Sequence, residues 1–433
     1  MKILVCSVNF PPDLIGIAKY TGEMCQWLSD RGHEVRVITA PPYYPDWKVP
    51  PAYRNLTYSA ERVGDIQVTR CPLYVPRLPT GFRRILHHLS FAISSSLATF
   101  AVTAQFRPDV VLTVAPSILA SPAALLAARA SGARAWLHVQ DLEIDAAFGL
   151  GFLSGNRLRR FALWLEGGLL RRFCRVSSIS RRMMERIAAK GVEASRLIEF
   201  RNWVDAMPGI VRSNEMSYRA TLGIPQDATM LLYSGNMAVK QGLEYLVMAA
   251  RRLQELRPDV VFVLCGSGPM RHRLVEEAKG LRNVRFLELQ SPERIPHLLG
   301  AADIHLLPQR AAASDCVLPS KLGGMLASGR PVIAMAANGT QLAAEVEGAG
   351  LAVPPGDVPA FVDAILLLAA DARLRHQLGA EAGRVAATRW DKQATLERFE
   401  QELFKFGSSR RLGTAFGELS AGRAIEKEVN TAL

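Results

Sequence analysis

The sequence predicts an α/β protein of two doubly wound, Rossmann-like domains facing each other across a cleft, and three observations lead there. The chain opens as strand, loop, helix and strand, the same alternation starts afresh beyond Gln226, and 433 residues exceed what a single hydrophobic core organises.

In the opening, KILVCSVNF is apolar and β-rich, PPDLIG is a loop, IAKYTGEMCQWLSDRG is helical and HEVRVITA is a second strand. Gly32 falls where a helix C-cap belongs, and so short a connection demands parallel strands with a right-handed crossover. Strands over Val110 to Val114 and Ala135 to Val139, with an Ala-rich helix from Ser121 to Ala130 between them, continue the alternation. After the strand-like LIEFRNW near Trp203, Asp205 to Gln226 holds Pro, Gly, Asn and Ser with few periodic apolar residues, which reads as a linker. Beyond it MLLYSGN is a strand, GLEYLVMAARRLQEL a helix and VVFVLCGSG a strand. Leu243, Leu246, Val247, Ala250 and Leu253 lie on one face of that helix, the stripe of a helix packed on a sheet. Strands at Val284 to Leu287, Ile304 to Leu307 and Val332 to Met335 complete the second domain. The expected division is 1–204 and 205–385, with helices continuing to about Phe406 and a loosely ordered tail over 407–433.

Apolar residues make up 49% of the chain and charged ones 21%, the balance of a globular protein. A net charge of +12 calls for an anionic partner: nucleic acid, an anionic membrane face or a phosphorylated substrate. No nucleic-acid module is present, and the arginines are spread along helices instead of interleaved with aromatics, so nucleic acid is not expected as a partner. The six cysteines lie far apart without a CxxC pair, which suggests neither a zinc site nor a disulfide framework and fits a cytoplasmic location. Met1 to Phe10 reads as a first strand, not an export signal. Ile85 to Phe106 carries no Asp, Glu, Lys or Arg, but His87, His88 and several Ser and Thr interrupt it before Pro108. It is expected as a buried or surface-docking helix.

Helix N-termini at strand ends bind phosphate through free backbone N–H groups, so an anionic ligand between the two domains is the natural expectation. PPDLIGIAKY puts Gly16 where a backbone can approach a diphosphate, with Lys19 just inside the next helix; a plain turn glycine remains the other reading. SGNMAVKQG places Asn236, Lys240 and Gly242 around a helix start, where a cation is unfavourable unless an anion joins it. Gly266 and Gly268 of CGSGP are candidate lining for a base pocket. Pro319, Ser320 and Lys321 open a short helix capped by Gly329, so Ser320, the helix N–H groups and Lys321 are candidate phosphate ligands. HVQDLEID contributes His138, Asp141, Glu143 and Asp145 just past a strand. His138 and Asp141 suit sugar hydroxyls or proton transfer, with helix capping as the alternative for Asp141. A metal would want a denser oxygen cage, and no DxD sequence occurs.

Taken together, PPDLIGIAKYTGEM, GHEVRVITAPPYYP, RCPLYVP, HVQDLEIDAAFGLG, YSGNMAVKQGLE, LPSKLGGMLASGRPVI and GLAVPPGD resemble the family 4 retaining glycosyltransferases over nearly the whole chain. Within that family they look like the colanic acid biosynthesis group, read as fucosyltransferases, and its relatives that act on aminosugars. The resemblance implies a GT-B fold, a nucleotide diphosphate sugar donor, retention of configuration, and neither a metal nor any other cofactor. By position it implies that Gly16 approaches the donor diphosphate, His138 contacts the transferring sugar, Lys240 neutralises the leaving phosphate and Pro319 to Lys321 supply backbone donors. A helix at about 386–406, near Trp390, would cross back onto the first domain. The acceptor would be an undecaprenyl-diphosphate-linked oligosaccharide of exopolysaccharide or O-antigen synthesis. The enzyme would then be peripheral on the inner membrane surface.

Two positions depart from the family pattern: Asn236 stands for an arginine that partners the lysine, and Gly324 stands for a glutamate, with Asp315 the nearest acid upstream. The basic stretch Arg157, Arg159, Arg160, Arg171, Arg172 and Arg175 reads either as a surface for anionic lipid or as a solvated helix face. A non-catalytic partner subunit and a nucleotide-sugar epimerase remain as alternatives on the same fold.

Overall fold

The computed structural model describes residues 1–13, 16–77, 81–116, 118–149, 155–205, 218–311 and 318–406; Asp315, most of the expected linker and the expected tail lie outside the described residues. By internal contacts the chain forms two compact units, one of Met1–His138, Arg172–Val176 and Gln393 onward, the other of Val139–Arg171 and Ser177–Lys392.

Strands that are apolar throughout need cover on both faces, which parallel sheets with crossover helices provide. β1 (Lys2–Ser7) is buried from Ile3 on, pairs in parallel with β2 (Glu34–Thr39) in the register Ile3↔Val35, and pairs with a later strand, β5, in the register Ile3↔Val110. α1 (Gly16–Asp30) joins β1 to β2, buries Ile17, Tyr20, Met24 and Leu28, and stops as expected: Gly32 donates to Ser29 O and His33 to Leu28 O. β3 (Ser59–Val63) and β4 (Ile66–Arg70) form an antiparallel edge hairpin that sequence reasoning missed, because SAERV is polar and largely exposed. α2 (Gly81–Phe106), β5 (Val110–Ala115), α3 (Ser121–Ser131), β6 (Arg134–Val139), α4 (Glu143–Gly149), α5 (Asn156–Leu170), β7 (Arg175–Ser178), α6 (Arg181–Ala189) and β8 (Leu197–Glu199) follow. The sheet order is β3-β4-β2-β1-β5-β6-β7-β8.

The second sheet is parallel throughout, in the order β11-β10-β9-β12-β13-β14. Its elements are β9 (Thr229–Ser234), α7 (Glu244–Leu256), β10 (Val260–Cys265), α8 (Arg271–Glu277), β11 (Val284–Leu287), α9 (Ile295–Ala301), β12 (Ile304–Leu307), α10 (Lys321–Ala327), β13 (Val332–Met335), α11 (Gln341–Val346) and β14 (Gly350–Val353), then α12 (Val358–Ala370) and α13 (Ala372–Arg389). Alternate residues of β9 serve opposite faces: Leu231 and Tyr233 pack with Leu246 and Leu253 of α7 and Phe361 of α12, while Met230 and Leu232 pack with Leu298 of α9.

Helix formation after α13 is broken at Trp390 and Asp391, since Asp391 pairs with Val204 in an isolated parallel bridge, and the last described helix runs over 392–406. Within the first unit that helix covers Trp136: the rings of Phe399 and Phe406 meet it edge-on at 5.2 and 5.5 Å. Its Glu400 accepts from Arg31 at 3.1 Å and lies 3.1 Å from the His33 ring nitrogen. Trp136→Ala opens a cavity at a fully buried site and is expected to cost about 3–5 kcal/mol in denaturant unfolding; a loss below about 1 kcal/mol would show that the terminal helix is not held there.

Candidate active site

In an open parallel sheet the ligand crevice lies at the carboxyl ends of the strands, where the order reverses; in the second sheet that point is between β9 and β12. Sequence reasoning put five of its candidates in the loops after β9 and β10, and the structure brings these together. Gly235 donates to Cys265 O at 2.9 Å and Met237 to Ser267 O at 2.7 Å, so the two loops run against each other. Gly266, at φ +139°, lies so close that a Cβ would fall 2.0 Å from Gly235 O; no other residue fits. At Gly268 a Cβ would meet Asn236 Oδ1 at 2.6 Å, and Gly242 turns the chain into α7.

Into this junction comes Lys321, the first residue of α10. Its Nζ donates to Tyr233 Oη at 2.6 Å and sits 3.9 Å from the centre of that ring. Tyr233 Oη in turn donates to Asn236 O at 2.6 Å, so a buried tyrosine ties the lysine to the loop after β9. Gly235 makes room: a Cβ there would lie 2.9 Å from Lys321 Nζ. Burial pushes the Lys321 amine down to about 7, and the positive charge of Lys240 pushes in the same direction. Two lysines far apart in sequence thus act on each other, and among the described residues no carboxylate pairs with either.

Lys240 belongs to the short 3₁₀ turn Val239–Gln241 ahead of α7, where its carbonyl accepts from Arg310 N at 3.2 Å. The Arg310 guanidinium reaches Glu244 in the first turn of α7 at 2.5 Å, which fixes the loop carrying Lys240. Tyr233, Gly235 and Arg310 were not singled out from the sequence; a tyrosine ending a buried strand, which needs a partner for its hydroxyl, was the available signal. Ser320 precedes α10 with helical angles, φ −60° and ψ −26°, and its exposed hydroxyl makes no cap bond. Pro319 is buried and accepts from Leu322 N. Gly324 faces Leu299, with 3.3 Å left for a Cβ.

The remaining candidates fall elsewhere. In the first unit Gly16 begins α1 and is half-buried, whereas Lys19 is exposed and lies 3.6 Å from Glu23, as on a solvated helix face. The loop ahead of them is fixed by two side chains that sequence reasoning passed over. Buried Asp13 accepts from Asn9 Nδ2 and from the N–H groups of Tyr43 and Tyr44, and burial holds its carboxyl above the usual range. Arg70, 1% exposed, donates to Pro11 O and Ala40 O. His138 is buried near the end of β6. In the second unit Asp141 is half-buried, and Asp145 shares Lys190 Nζ with buried Glu166, both at 2.5 Å. The basic stretch divides: Arg157, Arg159 and Arg160 are exposed on α5, but Arg171 donates to Lys190 O and Arg175 lies over the Phe406 ring.

Two Rossmann-like α/β domains, with paired lysines and glycine-tight loops at a strand-order reversal, define a protein of the GT-B class suited to an anionic nucleotide ligand. The chain belongs to the glycosyltransferases: residues 16–203 match the glycosyl transferase 4-like domain and residues 214–385 the glycosyl transferases group 1 domain. It is 40% identical over 413 residues, 93% of this chain and 100% of the relative, to the Escherichia coli K12 protein assigned as colanic acid biosynthesis glycosyl transferase WcaI. It is 30% identical to the alpha-D-kanosaminyltransferase of Streptomyces kanamyceticus over 39% of this chain and 43% of that one. It is 25% identical to a Salmonella typhimurium lipopolysaccharide 1,2-N-acetylglucosaminetransferase over 44% and 52%. Among solved structures, sucrose-phosphate synthase from Thermosynechococcus elongatus superposes with a TM-score of 0.76 at 19% identity, covering 94% of this chain and 100% of that one. HepE of Anabaena in complex with UDP and glucose superposes with a TM-score of 0.68 at 16% identity, with the same coverage.

A diphosphate favours the charged form of Lys321, whose amine is mostly neutral in the free protein above pH 7. Nucleoside diphosphate binding is therefore expected to take up close to one proton at about pH 8 and much less at about pH 6. Titration calorimetry in buffers of different ionisation enthalpy measures this, and Lys321→Met should abolish the uptake. Equal uptake in that variant would place the titrating group elsewhere.

Proposed function

We propose that this glycosyltransferase moves a sugar, with retention of configuration, from a nucleotide diphosphate sugar to an undecaprenyl-diphosphate-linked oligosaccharide in exopolysaccharide synthesis of the colanic acid type. O-antigen synthesis is the neighbouring possibility of the same chemistry. The observation that carries the reading is the convergence of Lys240 and Lys321 at glycine-tight strand ends, in a chain that matches a colanic acid biosynthesis enzyme along that enzyme's whole length.

The leaving group is a nucleoside diphosphate and the transition state resembles an oxocarbenium ion, so catalysis rests on stabilising charge that develops on the bridging and terminal phosphate oxygens. Lys240 and Lys321 supply that charge, Tyr233 holds Lys321 in place, and the backbone between Pro319 and Lys321 contributes donors. His138 and Asp141 are assigned to the transferring sugar, and the Gly16 loop, braced by Asp13 and Arg70, to its diphosphate. The reading calls for no metal. Fucose from GDP-fucose is the first donor reading. A UDP-linked aminosugar is the second, favoured by relatives named for kanosaminyl and N-acetylglucosamine transfer.

The lipid-linked acceptor implies work at the inner face of the cytoplasmic membrane. On α5, Leu158, Phe161, Trp164 and Leu165 are exposed beside Arg157, Arg159 and Arg160, the pairing of apolar and cationic side chains that suits an anionic lipid surface.

Lys240→Ala is expected to lower transfer by about 10²–10³-fold, the scale of removing one transition-state charge partner, with an unchanged melting temperature; unaltered turnover would remove Lys240 from the mechanism. For the donor, a thermal-shift panel of GDP, UDP and their sugar conjugates discriminates, because only ligands of the folded state raise the melting temperature. A selective rise with GDP-fucose supports the first reading, and a selective rise with a UDP-aminosugar replaces it with the second.

A further inference from the structure

α2 buries a side that mixes polar residues with Phe91, Ala92, Ala98 and Phe106, and exposes an apolar one. Its polar side chains His87, Ser95, Thr99 and Thr103 are buried in the first unit, while Phe82, Ile93 and Leu97 are 71%, 63% and 68% exposed, and Ile85, Leu89 and Phe100 face outward with them. The buried side is engaged: His87 Nδ1 lies 2.7 Å from Tyr74 O, Ser94 Oγ donates to Pro72 O at 2.6 Å, and Thr99 Oγ1 lies 3.8 Å from Cys6 Sγ. A water-facing helix carries the opposite arrangement. The exposed positions recur every three or four residues, so they form one continuous stripe of about 27 Å at 1.5 Å per residue, far more than the scattered apolar residues of an ordinary surface.

The charges around the stripe point to its occupant. Gly81–Phe106 contains no Asp or Glu, exposed Arg77, Arg83 and Arg84 lie at its start, and exposed Arg107 follows its end. Tyr58 and Tyr74, both partly exposed, lie beside it, Tyr58 Oη donating to Ser94 O and the Tyr74 backbone N–H to Ser90 Oγ, as aromatics do at a lipid headgroup boundary. A second copy of the chain would bring arginines against arginines in either orientation, with no acid on the helix to pair them. Anionic lipid supplies both the apolar phase and the countercharge. The helix is long and apolar enough to cross a membrane by composition, but its bonded polar face leaves only the stripe for lipid.

We propose that the exposed face of α2 is a docking surface that lies in the headgroup–acyl boundary of an anionic bilayer. This rests on the peripheral-membrane reading and adds to it an apolar, salt-resistant contact separate from the arginines of α5. The test is co-sedimentation of the full chain with phosphatidylglycerol-containing and pure phosphatidylcholine vesicles at low and high salt, for the wild type, for Ile93→Glu/Leu97→Glu, and for Arg157→Gln/Arg159→Gln/Arg160→Gln. Light scattering reports the oligomeric state and thermal melting the fold. Expected is binding that prefers anionic vesicles, a loss of about tenfold or more in the α2 variant with melting and oligomeric state unchanged, and a residual salt-resistant fraction in the α5 variant. If the wild type binds no vesicles, the membrane reading and this inference both fall. If the α2 variant binds like wild type while the α5 variant does not, only this inference falls. A wild-type dimer that the α2 variant dissolves would assign the stripe to self-association and overturn it as well.

Discussion

Two lysines that act on each other, with no carboxylate pairing either among the described residues, are costly to hold charged together until an anion joins them, and the second domain is arranged so that they are held there by structure. Lys321 is fixed by the Tyr233 ring and hydroxyl, and Lys240 by the Arg310 backbone. The Lys321 arrangement depends on Gly235, where a Cβ would crowd Lys321 Nζ at 2.9 Å, and the two loops close at Gly266, where a Cβ would fall 2.0 Å from Gly235 O. On the proposed reading the site receives negative charge, and the free energy released when a diphosphate neutralises the lysines would be available where a leaving group needs it.

The parallel topology makes this possible. Strands such as Val260–Cys265 are buried throughout, which obliges helices on both faces and puts every β-to-α loop on one edge. Lys240 and Lys321, 81 positions apart by their residue numbers, meet because both follow strands that end at that edge. Supporting pairs elsewhere have the same character: Asp13 and Arg70 brace the loop after β1 from different elements, and Lys190 joins Asp145 to Glu166.

Much of this was legible in the sequence where a single physical cause dominates. Apolar runs such as KILVCS and VVFVLC read directly as buried strands, Gly32 as a helix stop, and SGNMAVKQG as the connection from a strand to a helix. The edge hairpin at Ser59–Arg70 was not legible, because an exposed, polar strand loses the periodicity that identifies it. Nor were Tyr233 and Arg310, whose roles lie in partners distant in sequence. Asp145 read only as part of an acidic cluster and Arg175 as part of a basic stretch, because composition does not distinguish a charge facing solvent from one already satisfied by Lys190 or by the Phe406 ring. On α2 the sequence offered a buried or surface-docking helix; that His87, Ser95, Thr99 and Thr103 lie on its buried side is known only once the helix is seated.

The central claim is that the lysine pair of the second domain receives the donor diphosphate. Its most direct test is a crystal structure of the protein with a nucleoside diphosphate bound. The account predicts the terminal phosphate within hydrogen-bond reach of both Lys240 Nζ and Lys321 Nζ, with Lys321 still on Tyr233. A diphosphate seated away from both lysines, with the Lys321–Tyr233 contact undisturbed, would contradict it.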